Sequence, residues 1–352
     1  MKKNRRLILI RISKSRFKKR LKRNELRKLI RVNRHYKNEL KEQKLRRKPK
    51  KNKFITISPP ENFSLINNPH ETLEYFKKIR MLMIAYEPIH VEMANIKKMT
   101  GDALIYQLAL MQKIKLDLSG FYIKGSFPKE EKVLSLMRAS GFLHYFKTSK
   151  DNIITDSDFI EIKSGKNVDN ETVKKICLFV IDKLQTDRNK TKPLFDIISE
   201  MMLNTKQHAY NTSDQEYSNW MLFLRFYPEK QSIDFIFMDT GYGIPQTVRK
   251  TKLEQAKKWF SNMGFDAFNQ SDLVKSALDG AYRTQTGKGY RGRGLPRIFK
   301  YYNSGYIKNL NLFSNKACLT FNDEYHSHDL KTEIIGTLIY WKLTKESING
   351  NN

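Results

Sequence analysis

The stretch IDFIFMDTGYGIP, residues 233–245, decides the fold of the C-terminal half of this chain. It begins with a mainly apolar, β-favouring run, which predicts a short strand that stops at Asp239. Gly241 and Gly243 follow, and a glycine lets the backbone approach a ligand closely. A carboxylate at this position can accept a hydrogen bond from the exocyclic amine of a purine. Taken alone, Asp-x-Gly-x-Gly is a weak signal, because the same residues form ordinary turns.

A helix is predicted upstream, at IISEMMLNTKQHAY, residues 197–210, where apolar residues recur at helical spacing. Glu200, Asn204 and His208 stand four residues apart, so a helix presents them on one face. These three polar groups are available to a single ligand. A solvated helix face gives the same pattern, and the choice therefore depends on the neighbouring motifs.

A glycine-rich loop, GKGYRGRGL at residues 287–295, leads into an apolar helix that is predicted to begin near Pro296. Such a loop presents backbone N–H donors and the positive end of the helix dipole to phosphate groups. It also carries three cations that can contact phosphates: Lys288, Arg291 and Arg293.

A last strand is predicted at 338–343, directly after Gly336 and Thr337. In this order, the four motifs resemble those of the GHKL ATPases, the Bergerat-fold group that includes DNA gyrase B, MutL, sensor histidine kinases and anti-sigma-factor kinases. The resemblance covers roughly residues 165–345 and is closest to the anti-sigma-factor kinases. It implies an α/β sandwich in which helices cover one face of a mixed sheet.

The resemblance also implies a role for each matching residue. Glu200 has the position of the general base that orients the attacking water or hydroxyl, and Asn204 that of the Mg²⁺ ligand. Asp239 corresponds to the carboxylate that recognises adenine, supported by the hydroxyl of Thr337. The other implied ATP-binding positions are Gly241, Gly243, Gly292, Gly294, Leu295, Lys288, Arg291 and Arg293.

The expected lid over ATP spans 249–291, with candidate helices around 252–263 and 271–282. Pro296 departs from the GHKL pattern, because many of these kinases have a glycine there. No phosphoaccepting histidine on a helical hairpin precedes the motifs, which disfavours a complete sensor histidine kinase. The chain has no Walker A sequence either, which excludes the P-loop class.

Residues 54–150 are predicted to form a small α/β unit. Strands are expected at 89–96 and 115–123, with a helix at 101–113 between them. A second helix after Pro128 is expected to stop at Gly141. This order resembles a STAS domain, the fold of anti-sigma-factor antagonists, and a generic βαβ regulatory domain remains the alternative.

Residues 1–53 form a basic arm, predicted to be helical or disordered. The arm holds 25 of the 66 Lys and Arg residues but three of the 36 Asp and Glu, a net charge of +22 out of +30. This charge predicts contact with nucleic acid or a ribonucleoprotein. A solubility tail and an anionic membrane surface are the alternatives.

Composition narrows the class of protein further. Cys177 and Cys318 provide neither a disulfide framework nor a zinc cluster. Apolar stretches are too short to span a bilayer, and no secretory signal is recognisable, so we expect a cytoplasmic protein without a transmembrane segment. Its 352 residues are enough for two cores, and 346–352 are expected to be a disordered tail.

These features predict an ATP-binding regulatory or switch protein, in which Mg-ATP binding and slow hydrolysis control binding of a protein partner or nucleic acid. One alternative is a Ser/Thr protein kinase acting on a STAS-like partner or in cis. Another is a non-catalytic module that binds nucleotide only to fold or associate. The intact Glu200 argues against a pure binding module, which needs no general base.

Overall fold

The computed structural model describes residues 54–85, 87–117, 123–146, 156–208, 219–251, 269–280 and 294–350. The basic arm lies outside the described residues, and Phe54–Asn352 forms one compact unit. The fold is mixed α/β. In the described part of the chain, no helix is long and apolar enough to cross a membrane.

Residues 54–146 combine short parallel strands with helices. The strands are β1 (Ile55–Ile57), β2 (Asn62–Phe63), β3 (Ile89–Val91), β4 (Lys98–Met99) and β5 (Ile123–Gly125), and the helices are α1 (Pro69–Ile84), α2 (Gly101–Asp117) and α3 (Glu131–Ala139), followed by a 3-10 turn at Phe142–Tyr145. β1, β3 and β5 pair in parallel, as do β2 and β4. Parallel pairing follows because α1 and α2 each return the chain to the same end of the first sheet.

The strand predicted at 115–123 is wrong over its first part, because α2 continues to Asp117. From Ala103 to Asp117 the chain contains no glycine or proline. The helix preference of these residues outweighs the alternation of apolar and polar residues that favours a strand. The strand predicted at 89–96 is also too long. It ends at Val91, after which the Ala94 N–H donates to the Glu92 carboxylate, 3.0 Å away, in a turn.

The helices predicted within residues 54–146 agree with the structure better than the predicted strands do. The helix predicted at 101–113 is present as α2, and the one after Pro128 is present as α3. α3 ends at Ala139, and Gly141 takes a φ of +72°, a left-handed value that favours glycine after a helix. The predicted stop is therefore confirmed.

A seven-stranded sheet organises the rest of the chain. Its strands are β6 (Phe159–Gly165), β7 (Trp220–Tyr227), β8 (Ser232–Asp239), β9 (Lys308–Ser314), β10 (Ala317–Phe321), β11 (Tyr325–Asp329) and β12 (Thr337–Thr344), in the order β11-β10-β9-β12-β8-β7-β6. Every neighbouring pair is antiparallel. The expected mixed sheet is therefore wrong, because β7–β8 and β9–β10 are hairpins with short connections, which can join only antiparallel strands.

Two hydrophobic cores lie on opposite faces of this sheet. On β7 and β8, alternate residues such as Trp220 and Phe237 join one cluster, and their neighbours Met221 and Met238 join the other. Helices cover the first face: α4 (Asn170–Leu184), α5 (Lys192–His208), α6 (Ile244–Thr251), α7 (Gln270–Leu278), α8 (Gly294–Asn303) and α9 (Lys345–Asn349). Short 3-10 turns occur at Asn189–Thr191, between α4 and α5, and at Pro228–Lys230, between β7 and β8. Residues 54–146 cover the second face and share its core.

The expected disordered tail at 346–352 is wrong up to Asn349. α9 occupies Lys345–Asn349, with a capping box between Thr344 and Ser347. Ile348 is fully buried in the helix-side core. A reciprocal cap and one buried anchor are enough to hold this single turn of helix.

Candidate functional site

Asp239 is the last residue of β8 and lies between two strands of the sheet. It faces Thr337 on β12 and Trp220 on β7. Side chains alternate between the faces of a strand, so Asp239 lies on the same face as Phe237, which belongs to the helix-side core. Thr337 shares that face. The structure thus brings the predicted Asp239 and Thr337 side by side, on the face of the sheet that the helices cover.

The Asp239 carboxylate is half-buried and accepts a hydrogen bond of 2.8 Å from the Gly241 N–H. Burial raises its pKa from 3.8 to about 6, although the Gly241 N–H and the Thr337 hydroxyl act in the opposite direction. A partly desolvated carboxylate is a strong acceptor for a donor that replaces its lost water.

The glycines beside Asp239 are required by backbone geometry. Gly336 has a φ of +61°, and a Cβ there would lie 1.8 Å from the Asp239 carbonyl oxygen. Gly243 has a φ of +81°, and a Cβ there would lie 2.5 Å from Asn315 Oδ1. Glycine at 336 therefore lets the start of β12 lie against the end of β8, and glycine at 243 leaves room for the Asn315 side chain beside the turn.

Side chains that the sequence analysis missed hold this turn in place. Ser314 Oγ accepts from the Ile244 N–H at 2.8 Å and lies 3.0 Å from Thr337 Oγ1. Asn315 Nδ2 donates to the Tyr242 carbonyl at 3.0 Å. Ser314 ends β9 and Asn315 follows it in the turn to β10, and nothing in their local sequence distinguishes them from ordinary turn residues.

Lys113 is a further contact that the sequence did not indicate. Its Nζ donates to the Thr240 carbonyl at 2.7 Å, although it belongs to α2 on the other side of the sheet. Its positive charge also lowers the pKa of Asp239, as a smaller effect than burial. The N-terminal part therefore touches the turn that follows Asp239.

Glu200 and Asn204 lie on α5, one turn apart. Neighbouring apolar residues, including Ile197 and Met201, enter the helix-side core, and this leaves Glu200 and Asn204 half-buried. Arg297 Nη1 lies 3.3 Å from Glu200 Oε1 and 3.7 Å from Asp196 Oδ2. Arg297 was not identified as a site residue from the sequence. The feature that could have indicated it is its position one turn after the start of a helix.

The Glu200–Arg297 contact places the first turn of α8 against α5. Gly294 begins α8, and Leu295 packs against the helix-side core. The N–H groups at the start of this helix therefore lie near the predicted general base. A helix start beside a carboxylate and an amide is an arrangement that can receive a phosphate together with a cation.

Several predicted residues lie outside the described part of the chain: Lys288, Arg291, Gly292, Arg293, the helix at 252–263 and the side chain of His208. The lid helix predicted at 271–282 is present as α7, but it is shorter. Among the described residues, no group of three or more His, Cys, Asp or Glu could hold a metal ion. A cation at Asn204 would therefore take most of its ligands from a bound phosphate and water.

No protein-family model matches this chain, and no curated protein matches it significantly.

Proposed function

We propose that the face of the sheet covered by α5 and α8 binds Mg-ATP, as the resemblance to the GHKL ATPases implies. In this proposal the chain is a regulatory switch, in which ATP binding and slow hydrolysis control what the other parts of the molecule bind. The proposal extends to nucleic acid as the partner of residues 1–53, on the basis of their charge.

One observation carries the proposal: a partly desolvated carboxylate, Asp239, lies at a strand end beside Thr337 and a glycine turn. Its raised pKa reflects the loss of water, and an adenine amine would restore a donor to it. The same face of the sheet carries α5, so that Glu200 and Asn204 are available for the phosphate end of the ligand.

The residues present fit a magnesium ion that arrives with ATP. The Asn204 amide is half-buried, and it makes no hydrogen bond to any residue that the structure describes. When bound, Mg²⁺ would neutralise charge on the phosphates. Glu200 would orient the attacking water, and its contact with Arg297, 3.3 Å away, holds the carboxylate in position.

Incubation of the purified chain with γ-labelled ATP and Mg²⁺ tests the proposal. The label is expected to appear as free phosphate, at a rate that falls strongly in Glu200→Gln. Label retained on the protein would instead support the kinase alternative. The ATPase proposal is wrong if no phosphate is released above the Glu200→Gln background while ATP binds normally.

A further inference from the structure

A second cleft lies on the other face of the seven-stranded sheet, between the sheet and residues 54–146. Its volume is about 350 Å³. Phe223, Ile236 and Tyr340 form part of its floor and are each at most 9% exposed. Lys230 and Asn322 lie exposed at its mouth. This size is near the lower end for small-molecule sites, about 300–1,000 Å³.

The cleft is separate from the proposed ATP site. Asp234 lines the cleft and Asp239 belongs to the ATP site, and they lie on opposite faces of the same strand because they are five residues apart in β8. On β12, Lys342 lines the cleft and Thr337 belongs to the proposed ATP site, and these two residues also lie on opposite faces of their strand. A ligand of one site therefore cannot touch the carboxylate of the other.

Three cations, Arg225, Lys230 and Lys342, and two carboxylates, Asp102 and Asp234, line the cleft. Lys342 is compensated, because its Nζ lies 3.7 Å from Asp234 Oδ1. Arg225 and Lys230 form no ion pair with any residue in the described ranges. The Arg225 guanidinium instead lies 4.6 Å from the centre of the Tyr227 ring and 5.2 Å from the centre of the Phe159 ring.

Neither carboxylate of the cleft forms an ion pair with these two cations. Asp102 is buried, and its carboxylate accepts from the N–H groups of Leu65 and Ile66, the first at 2.5 Å. Asp234 Oδ1 is buried and forms an ion pair with Lys342, but no donor lies within hydrogen-bond distance of it. The lining of the cleft therefore includes two cations that form no ion pair in the described part of the chain, and a carboxylate oxygen that accepts no hydrogen bond.

We propose that this cleft binds a small phosphorylated molecule of about mononucleotide size. Arg225 and Lys230 hold its phosphate group, and a hydroxyl or amine of the same molecule donates to Asp234 Oδ1. Arginine suits this role because its planar fork matches the oxygens of a phosphate. Focusing of the positive field by the low-dielectric walls adds to the attraction.

Isothermal titration calorimetry on the full chain tests this inference, and the cleft variants below separate binding in the cleft from binding at the proposed ATP site. The probes are the four common nucleoside 5′-monophosphates, ribose 5-phosphate and inorganic phosphate. We expect at least one organic phosphate to bind in the submillimolar range, and more tightly than inorganic phosphate. Arg225→Met should weaken it by about 10-fold or more, as loss of a hydrogen bond to a charged group implies.

Lys316→Met is the matched control, because Lys316 is an exposed cation that does not line the cleft. It removes the same charge and is expected to change the affinity by less than about two-fold, since a distant exposed charge is largely screened. Lys230→Met is the second test variant if Arg225→Met does not fold, because Lys230 is exposed. The inference is overturned if no organic phosphate binds, if inorganic phosphate binds as tightly, or if the cleft variants bind like Lys316→Met.

Discussion

Asp239 and Glu200 have different roles in the proposed site, so replacing each should affect a different quantity. Asp239→Asn removes the charged acceptor and turns an amide donor toward the adenine amine, which should weaken ATP binding by about 1–3 kcal/mol or more. Glu200→Gln should leave binding nearly unchanged but lower turnover about 100-fold or more, as expected for loss of a general base. Equilibrium binding and phosphate release are measured on the same preparations. An equal loss of affinity in both variants would contradict the roles assigned here.

Protonation of Asp239 gives the site a pH dependence with a definite sign. Its pKa is raised from 3.8 to about 6, so the folded protein holds this proton more tightly than the unfolded chain does. The stabilising effect of the proton is complete below about pH 4 and is lost as the pH rises through about 6. The ionised carboxylate is the better acceptor, so ATP affinity should rise over the upper part of that range.

The ATP phosphates also titrate, with a pKa near 6 for a phosphate monoester, and this affects every variant. The affinity for ATP is therefore measured for the wild-type chain and for Asp239→Asn at a series of pH values below and above the pKa of Asp239. The ratio of the two affinities is then compared across the series. We expect the ratio to increase with pH around a midpoint near 6. A constant ratio would mean that Asp239 does not bind the ligand in its ionised form.

At the scale of elements, Gly336 sets how closely β12 approaches the end of β8. A methyl group there would lie 1.8 Å from the Asp239 carbonyl oxygen, at a φ of +61°. We expect Gly336→Ala to lower the free energy of unfolding by about 2–4 kcal/mol, because the strands must separate and the backbone is strained. Gly125→Ala is the control, since its nearest atom is 3.2 Å away and its φ is not positive. Similar losses for the two variants in urea unfolding would contradict this explanation.

The start of α2 bears on the kinase alternative. Thr100 precedes this helix, where a phosphate would gain from the helix dipole. Its hydroxyl oxygen, however, is buried in the structure, and transfer requires an exposed nucleophile. We expect mass spectrometry of the native chain after incubation with Mg-ATP to find Thr100 unmodified. A phosphate on Thr100 in folded protein would show that this helix start opens in solution.

The elements that carry motifs could be predicted from sequence, because local signals agree there. β8 stops at Asp239, and β12 begins at Thr337, as glycine and the apolar runs indicate. α5 begins at Lys192, earlier than its motif suggests, because residues before Ile197 also reach the core. The positions of Ser314 and Arg297 could not be predicted, because they depend on which distant elements pack together.

At the scale of the whole molecule, one signal of the shared core was present in the sequence. β7 is almost wholly apolar over Trp220–Tyr227, and a strand without alternation is expected to be covered on both faces. The structure places residues 54–146 on the second face, where a Cβ on Gly101 would lie 2.6 Å from the Phe223 ring. The sequence could not identify which segment covers this face, because an apolar surface does not specify which apolar partner packs against it.

The basic arm is expected to bind nucleic acid by charge. Its 25 Lys and Arg residues lie outside the described part of the chain. Few aromatic residues accompany these cations, so affinity for nucleic acid should come chiefly from counterion release, with little sequence preference. Engagement of about 6–10 phosphates predicts a loss of about 10³–10⁵ in affinity between roughly 50 and 200 mM salt. Filter binding across salt, with duplex DNA, RNA and heparin, measures this slope.

Deletion of residues 1–53 should flatten that slope and leave ATP affinity nearly unchanged, because Glu200, Asn204 and Asp239 all belong to the compact unit Phe54–Asn352. A tail that serves only solubility predicts weak retention of every polyanion and none at physiological salt. If the truncated chain retained RNA or DNA as well as the full chain does, the contact would instead belong to the remaining residues, whose net charge is +8. The charge of the arm would then have no part in nucleic-acid binding.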